Sequence, residues 1–197
     1  MPYLDEKTYR TILDDDDNES ECSYSVFRAE FLNAKTWAQR KDGVPLELLD
    51  GLSEEELSAA EEELISAAGL NDDWPIIGLG HIGSKKALPI LYELLENAKN
   101  GQKIVIAHSI FQINNDEKMC EIVLDELALA AQWSKHSIID IIYLLKDFQN
   151  AEITQKLNEF YDSEKYLVAY NAARALGLPT EPIVEKFRGR KNADDKK

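Results

Sequence analysis

Basic residues are scarce in this chain of 197 residues. Its 22 lysines and arginines stand against 37 aspartates and glutamates, which gives a formal net charge of -15 at pH 7. An excess of negative charge on this scale repels the phosphate backbone of nucleic acids and the anionic surface of a bilayer. We therefore expect neither nucleic acid nor a membrane as a partner, and we expect a protein partner to be basic.

Long apolar runs are also missing. No stretch of the sequence approaches the roughly 18 consecutive apolar residues of a membrane-spanning helix. The first residues, MPYLDEKTYR, lack the basic and then apolar arrangement of a signal peptide. Both observations predict a cytoplasmic protein.

Cysteine and histidine are too few to indicate a disulfide framework or a metal centre. Cys22 lies in an acidic segment and Cys120 lies inside an apolar helical pattern. None of the three histidines, His81, His108 and His136, precedes a glutamate, and no cysteine or histidine has the spacing of a zinc site. We therefore expect no cofactor, no metal and no catalytic residue, and thus a protein that is not an enzyme.

Residues 1–22 contain the acidic run DDDDNE at 14–19. A calcium-binding loop of the EF-hand type needs a glycine at its sixth position and a bidentate glutamate at its twelfth. Counting from Asp14, those positions hold Glu19 and Ser25, so the run does not fit a calcium loop. We expect residues 1–22 to form an acidic, mobile and solvated segment.

The most informative pattern present is an internal repeat with a period of about 31 residues. Each of its four units carries a pair of apolar or small residues three positions apart: Leu79 and Ile82, Ile110 and Ile113, Ile142 and Leu145, and Ala173 and Leu176. A period of this length is typical of solenoids, in which a two-helix unit buries its apolar face only against its neighbours. The sequence therefore predicts an all-α fold, an alpha-alpha superhelix of about four helical hairpins.

Each unit is predicted to contain a first helix, here called helix A, a short turn and a second helix, helix B. The A helices are expected near 73–83, 102–114, 135–147 and 164–177, and the B helices near 86–98, 117–131, 151–161 and 181–188. Gly, Asn, Asp and Ser residues punctuate the joints, as helix stops and N-caps require. The repeats thus occupy residues 71–188, and residues 189–197 form a charged tail.

Residues 23–70 are predicted to form a helical N-terminal cap. One helix is expected from Tyr24 to Arg40, with Ser23 as its N-cap. Ser53 and Glu56 form a capping box that starts a second helix. Because a solenoid needs an atypical end unit with one polar face, we assign this region to the same domain as the repeats.

Two stretches resemble HEAT repeats of the bilin-lyase type. Residues 168–177, VAYNAARALG, resemble the A helix of such a repeat, and residues 82–91, IGSKKALPIL, resemble its A-to-B turn. The resemblance covers about 72–188 and is best in the first and last units; Ala169 stands where the family often has arginine. It implies an alpha-alpha superhelix that recognises proteins, with the B helices lining the concave side.

Gly78, Gly80 and Gly83 also satisfy the G-x-G-x-x-G pattern of a dinucleotide-binding fold. That fold needs a buried parallel strand before the glycines, but the segment WPII at 74–77 contains Pro75. It also needs an acidic residue at the end of the next strand, which the sequence does not supply. We therefore interpret these glycines as sites of close helix packing.

His108 is followed one unit later by Asp140 and then by Asn171. This register would place the three residues in a column on the outer side of adjacent A helices. Because neighbouring helix axes lie about 8 to 10 Å apart, His108 and Asp140 would be close enough to interact. An acid–base dyad is one interpretation, and a surface hydrogen bond is the one we expect.

The polar face of the B helices is our candidate partner-binding surface. Seven carboxylates fall outside the apolar stripes of these helices: Glu93, Glu96, Glu121, Asp125, Glu152, Glu159 and Glu185. On the concave side of a superhelix they would focus the electrostatic field toward a basic partner. A solvated surface that keeps the protein soluble is the alternative interpretation.

The sequence therefore favours a non-enzymatic protein-interaction module with a basic protein partner. A concrete version is an immunity-type protein that neutralises a basic toxin. The alternative function is that of an enzyme-associated HEAT protein of the bilin-lyase type, which holds a small-molecule ligand. A structural scaffold is a third hypothesis.

Overall fold

Helices make up the part of the chain that the structure, a computed structural model, describes, namely residues 19–194. Twelve α-helices follow one another in that range, and no β-strand occurs in it apart from an isolated bridge between Gly69 and Asp72. The predicted all-α class is confirmed. Most of the predicted acidic segment, residues 1–18 with the aspartates 14–17, and the end of the predicted tail, residues 195–197, lie outside the described residues.

Four helices lie before residue 71: α1 Glu19–Phe27, α2 Trp37–Arg40, α3 Glu47–Asp50 and α4 Glu54–Ala67. The other eight follow it: α5 Asp73–His81, α6 Leu88–Asn97, α7 Asn100–Asn114, α8 Lys118–Ala128, α9 Lys135–Leu145, α10 Ala151–Tyr161, α11 Tyr166–Ala175 and α12 Glu181–Asp194. All four A helices (α5, α7, α9, α11) and all four B helices (α6, α8, α10, α12) are present as predicted. Helix α12 extends past 188, the predicted end of the last B helix, to Asp194.

The predicted single helix from Tyr24 to Arg40 is wrong. Helix α1 starts earlier, at Glu19, so Ser23 is not its N-cap, and it passes through a π-helical stretch that ends at Leu32. The chain then restarts as α2, because Thr36 and Gln39 form a capping box in which the Thr36 hydroxyl accepts a hydrogen bond from the Gln39 amide at 3.4 Å.

The second predicted cap helix is confirmed together with its capping box. The Ser53 hydroxyl accepts a hydrogen bond from the Glu56 amide at 3.4 Å, and the Glu56 carboxylate accepts one from the Ser53 amide at 2.9 Å. Two donors of the first turn of α4 are thus satisfied, which stabilises such a helix by about 1 kcal/mol.

Left-handed residues end the A helices, as the turn residues predicted. Gly83 has φ 64° just after α5, and Gly177 has φ 69° just after α11. In both turns the next amide bonds back to the helix: Ser84 N lies 3.0 Å from the Leu79 oxygen, and Leu178 N lies 2.8 Å from the Ala173 oxygen. This is the Schellman arrangement, which glycine adopts without strain.

Side chains of the repeat register form the core. The first member of each apolar pair is fully buried: Leu79, Ile110, Ile142 and Ala173 are each 0% exposed. One large apolar cluster extends from Phe27 through the repeats to Ala172, and a smaller one contains Ala169, Ala173 and Ile183. Burial of each large apolar side chain contributes about 1.5–3 kcal/mol, so these positions account for much of the stability of the fold.

The A helices contact one another in chain order, α5 with α7, α7 with α9 and α9 with α11. Each B helix packs on an A helix, and extensive contact between B helices occurs only between α8 and α10 in the described part of the chain. Helix α7 is enclosed on all sides, since every residue from 104 to 110 is buried. Among the described residues, no helix is long and apolar enough to cross a membrane.

Candidate functional site

The seven predicted partner-binding carboxylates lie on the four B helices, and all seven residues are exposed. Glu93 and Glu96 belong to α6, Glu121 and Asp125 to α8, Glu152 and Glu159 to α10, and Glu185 to α12. We call this set the B-helix acidic face.

Amphipathic spacing explains why these carboxylates are exposed. In α8, Val123 and Leu127 are 0% and 4% exposed and face the core, while Glu121 and Asp125 are exposed. The same division holds in α6, with Leu91 and Leu95 buried, and in α10, with Ile153 and Leu157 buried. The apolar residues of each B helix recur with the helical period and pack on the A helices, which leaves the acidic residues in solvent.

Most of these carboxylates have no partner among the described residues. Lys156 Nζ lies 2.8 Å from Glu159 Oε2, one turn away on α10. In the part of the chain that the structure describes, the other six carboxylates take part in no ion pair or side-chain hydrogen bond: Glu93, Glu96, Glu121, Asp125, Glu152 and Glu185. Unpaired carboxylates are available to a basic ligand without first breaking an internal contact.

The two helices that carry the middle four members of the set are neighbours. Helices α8 and α10 contact each other. Glu121 and Asp125 are four residues apart on α8, and Glu152 and Glu159 are seven apart on α10, so each pair shares one side of its helix. The helices that carry Glu93, Glu96 and Glu185 make no comparably extensive contact with α8 or α10 in the described range.

Glu126 is an acidic residue of α8 that serves the fold. Its carboxylate accepts a hydrogen bond from the Asn100 amide at 3.0 Å and lies 3.4 Å from Lys103 Nζ. The side chain is 14% exposed. It therefore satisfies the start of α7, which has no side-chain cap of its own.

Asp72 is the centre of a second charged cluster, which joins the N-terminal cap to α5. Its carboxylate contacts Arg40 Nη2 at 2.7 Å and Lys35 Nζ at 2.9 Å, and it accepts a hydrogen bond from the Trp74 amide at 3.1 Å. Burial by itself raises the pKa of Asp72, but the hydrogen bonds from Arg40 and Lys35 outweigh it and hold the pKa below its usual range. The cluster caps α5 and is satisfied within the protein.

His108 was expected on the surface, but it is buried. It is 3% exposed, inside α7, and its Nε2 lies 3.0 Å from Asp147 Oδ2 rather than pairing with Asp140. Its ring packs edge-on against Phe148 with ring centroids 5.6 Å apart. The predicted column with Asp140 and Asn171 is wrong because the middle of α7, residues 104–110, is buried on every side, so its periodicity does not mark an outer face.

The G-x-G-x-x-G segment is a packing site, as expected. Gly78 and Gly80 lie in the middle of α5 rather than in a loop, and both are buried. A Cβ on Gly80 would lie 2.9 Å from the Ser109 Cα of α7, and one on Gly78 would lie 3.0 Å from the Phe31 ring. The glycines thus allow close approach of helices, and the segment does not form the strand and loop of a dinucleotide site.

A partly open cavity of about 320 Å³, lined by apolar, polar and charged side chains, lies between α8, α9, α10 and the start of α11. The sequence did not reveal it, because its walls come from four elements and each contributes only a few residues. No group of three or more His, Cys, Asp or Glu residues able to hold a metal ion occurs within residues 19–194. No protein-family model, no curated protein and no solved structure matches the chain.

Proposed function

We propose that the chain is a non-enzymatic protein-interaction module that binds a basic protein partner through the B-helix acidic face. The observation that carries this proposal is the set of six exposed carboxylates that have no partner in the described part of the chain. Exposed charges that form no internal ion pair can act in binding, because they steer an oppositely charged partner toward the surface and repel partners of like charge.

The proposal includes a superhelical, HEAT-like arrangement of α5 to α12. The contacts of α5, α7, α9 and α11 in chain order support it, since each repeat of a solenoid contacts its neighbours. In this arrangement the B helices follow one another along one side of the molecule. The acidic face would then be a continuous strip, with Glu121, Asp125 and Glu152 at its centre.

An immunity-type role is the concrete form of this function. A protein that neutralises a basic toxin, such as a nuclease, benefits from rapid association before the toxin acts. The net charge of -15 provides long-range attraction to such a target, and the same charge repels the nucleic acid on which a nuclease acts. In this proposal the protein is cytoplasmic.

A pull-down from native lysate tests the proposal. Immobilised protein is loaded at low salt and eluted with a salt gradient. We expect one basic protein to elute as ionic strength rises, because exposed charges are screened beyond about 8 Å at physiological salt. Elution of only acidic proteins, or retention that does not depend on salt, would contradict an electrostatic partner site.

A further inference from the structure

The cavity between α8, α9, α10 and α11 has the composition of a small-molecule site. Leu127, Ile138, Phe160 and Val168 provide apolar walls, and three of them are almost completely buried, at 4%, 4% and 1% exposure for Leu127, Ile138 and Val168. Its volume of about 320 Å³ is at the lower end of the range for ligand pockets, which begins at about 300 Å³. The space suits a slender apolar group.

Exposed apolar side chains occur next in sequence to residues that line this cavity. Leu129, Tyr166 and Leu167 are 48%, 38% and 40% exposed, and each is next in sequence to a residue that lines the cavity or one position further. They are three of the five large apolar side chains that are exposed in the described residues.

The charged groups of the cavity favour an anion. In a chain with far more acidic than basic residues, the cavity is lined by two lysines, Lys156 and Lys165, and by one carboxylate, Glu159. Glu159 is paired with Lys156 at 2.8 Å. Within residues 19–194, no carboxylate pairs with the Lys165 ammonium, so the lining carries one uncompensated positive charge.

A neutral donor accompanies the lysines. Ser163 lines the cavity, and its hydroxyl oxygen accepts a hydrogen bond from the Lys165 amide at 3.1 Å. The hydroxyl hydrogen is therefore directed elsewhere and is available to an acceptor. An ammonium and a hydroxyl beside an apolar chamber match a carboxylate that carries an alkyl chain.

From these observations we propose that the cavity binds a small amphiphilic anion, a free carboxylate with a medium-length alkyl chain. The alkyl chain occupies the space between Leu127, Ile138, Phe160 and Val168, and the carboxylate pairs with Lys165. Glu159 weakens this binding because it competes for Lys156 and repels the ligand. The site is distinct from the centre of the B-helix acidic face, which takes a ligand of the opposite charge.

Calorimetric titration with three probes tests the ligand class: decanoate below its micelle concentration, decyltrimethylammonium with the same chain and the opposite charge, and acetate without a chain. We expect decanoate to bind about tenfold or more tightly than decyltrimethylammonium, because a charge-assisted contact distinguishes the two. Acetate should not bind measurably. Equal affinity for the two decyl compounds, or no binding of decanoate, would overturn the proposal.

Three variants and one control variant locate the site. Ala128 is exposed and lines the cavity, so Ala128→Phe should occupy part of it and abolish decanoate binding. The control, Ala59→Phe at an exposed position of α4, should bind decanoate as the parent does. Lys165→Gln should weaken decanoate binding about tenfold and Glu159→Gln should strengthen it. Thermal unfolding of each variant verifies the fold. If Ala128→Phe binds decanoate normally, the cavity is not the site. Binding of a basic protein to Glu121, Asp125 and Glu152 is tested by a separate experiment.

Discussion

His108 is an ionisable side chain placed inside the core. Its Nε2 is 3.0 Å from Asp147 Oδ2, and its Nδ1 is buried without a hydrogen-bond partner. Burial lowers the pKa of His108 from its ordinary value of 6.5, and Asp147 opposes this shift without reversing it. The folded protein therefore favours the neutral ring, in which Nε2–H donates to Asp147 and Nδ1 is an unmatched acceptor.

This arrangement predicts a loss of stability in mild acid. Well above pH 6.5 the His108 ring is neutral in both the folded and the unfolded protein, so its full contribution to the free energy of unfolding is present. As the pH falls below that value, the unfolded chain binds a proton more readily than the folded protein, and the free energy of unfolding decreases until the pH passes the lowered pKa. Urea unfolding of the parent and of His108→Met between pH 7.5 and 5 measures the effect. The stability difference between them should change with pH; a constant difference would mean that His108 does not titrate differently in the two states.

A substitution at Leu145, the last residue of α9, tests the packing of that helix. It is 1% exposed, so Leu145→Ala should lower the free energy of unfolding by about 2–5 kcal/mol, through lost burial and a residual cavity. Leu129 is 48% exposed, and Leu129→Ala is the matched control, with an expected cost of about 1 kcal/mol or less. Chemical denaturation measures both. Equal costs at the two positions would contradict the placement of Leu145 in the core.

At the scale of elements, the approach of α5 to α7 depends on a missing side chain. A Cβ on Gly80 would meet the Ser109 Cα at 2.9 Å, which is a contact with backbone that cannot turn aside. The glycine costs about 1 kcal/mol in helix propensity relative to alanine. The close packing that it permits offsets this cost, and neighbouring A helices can bury their apolar stripes.

Gly80→Ala should therefore destabilise the protein although alanine is the better helix former. Overpacking typically costs about 1–3 kcal/mol. Most of that range exceeds the gain in helix propensity from glycine to alanine, which is about 1 kcal/mol. A Cβ on Gly69 would have no atom within 4 Å, so Gly69→Ala is the control and should change stability by about 0.5 kcal/mol or less. If Gly80→Ala is more stable than the parent, α5 and α7 do not pack closely enough to require a glycine.

The elements differ in how far the sequence predicts them. The eight repeat helices follow from the period and from turn residues such as Gly83 and Gly177, because caps and apolar stripes act locally. The break before α2 could not be foreseen, since Thr36 and Gln39 are also acceptable inside a helix. The inward position of His108 was missed because α7 is buried on all sides, and a periodic stripe requires an exposed side. The cavity depends on tertiary contacts between four elements, which no local pattern encodes.

At the scale of the whole molecule, charge is the dominant property. The exposure of the acidic face followed from amphipathic spacing. That six of its carboxylates have no partner among the residues the structure describes became evident only from their surroundings. A net charge of -15 acts against the compact state through self-repulsion. Under the function proposed above, a basic partner compensates these charges on binding.

Association kinetics of charge-reversal variants test this central claim most directly. One variant reverses Glu121, Asp125 and Glu152 to lysine on the acidic face. The control reverses Glu47, Glu55 and Glu62 on α3 and α4, which are not on the B helices; Glu47 and Glu55 are in first turns, as Glu121 and Glu152 are. Both variants have the same change in net charge and a similar effect on helix dipoles.

The measurement is the association rate of the basic protein recovered from lysate with each variant at low and at physiological salt. The account predicts that reversal of Glu121, Asp125 and Glu152 slows association about tenfold or more relative to the control, and that the gap narrows as salt rises. Equal association rates for the two variants would contradict it and would leave the acidity of the chain as a solubility feature.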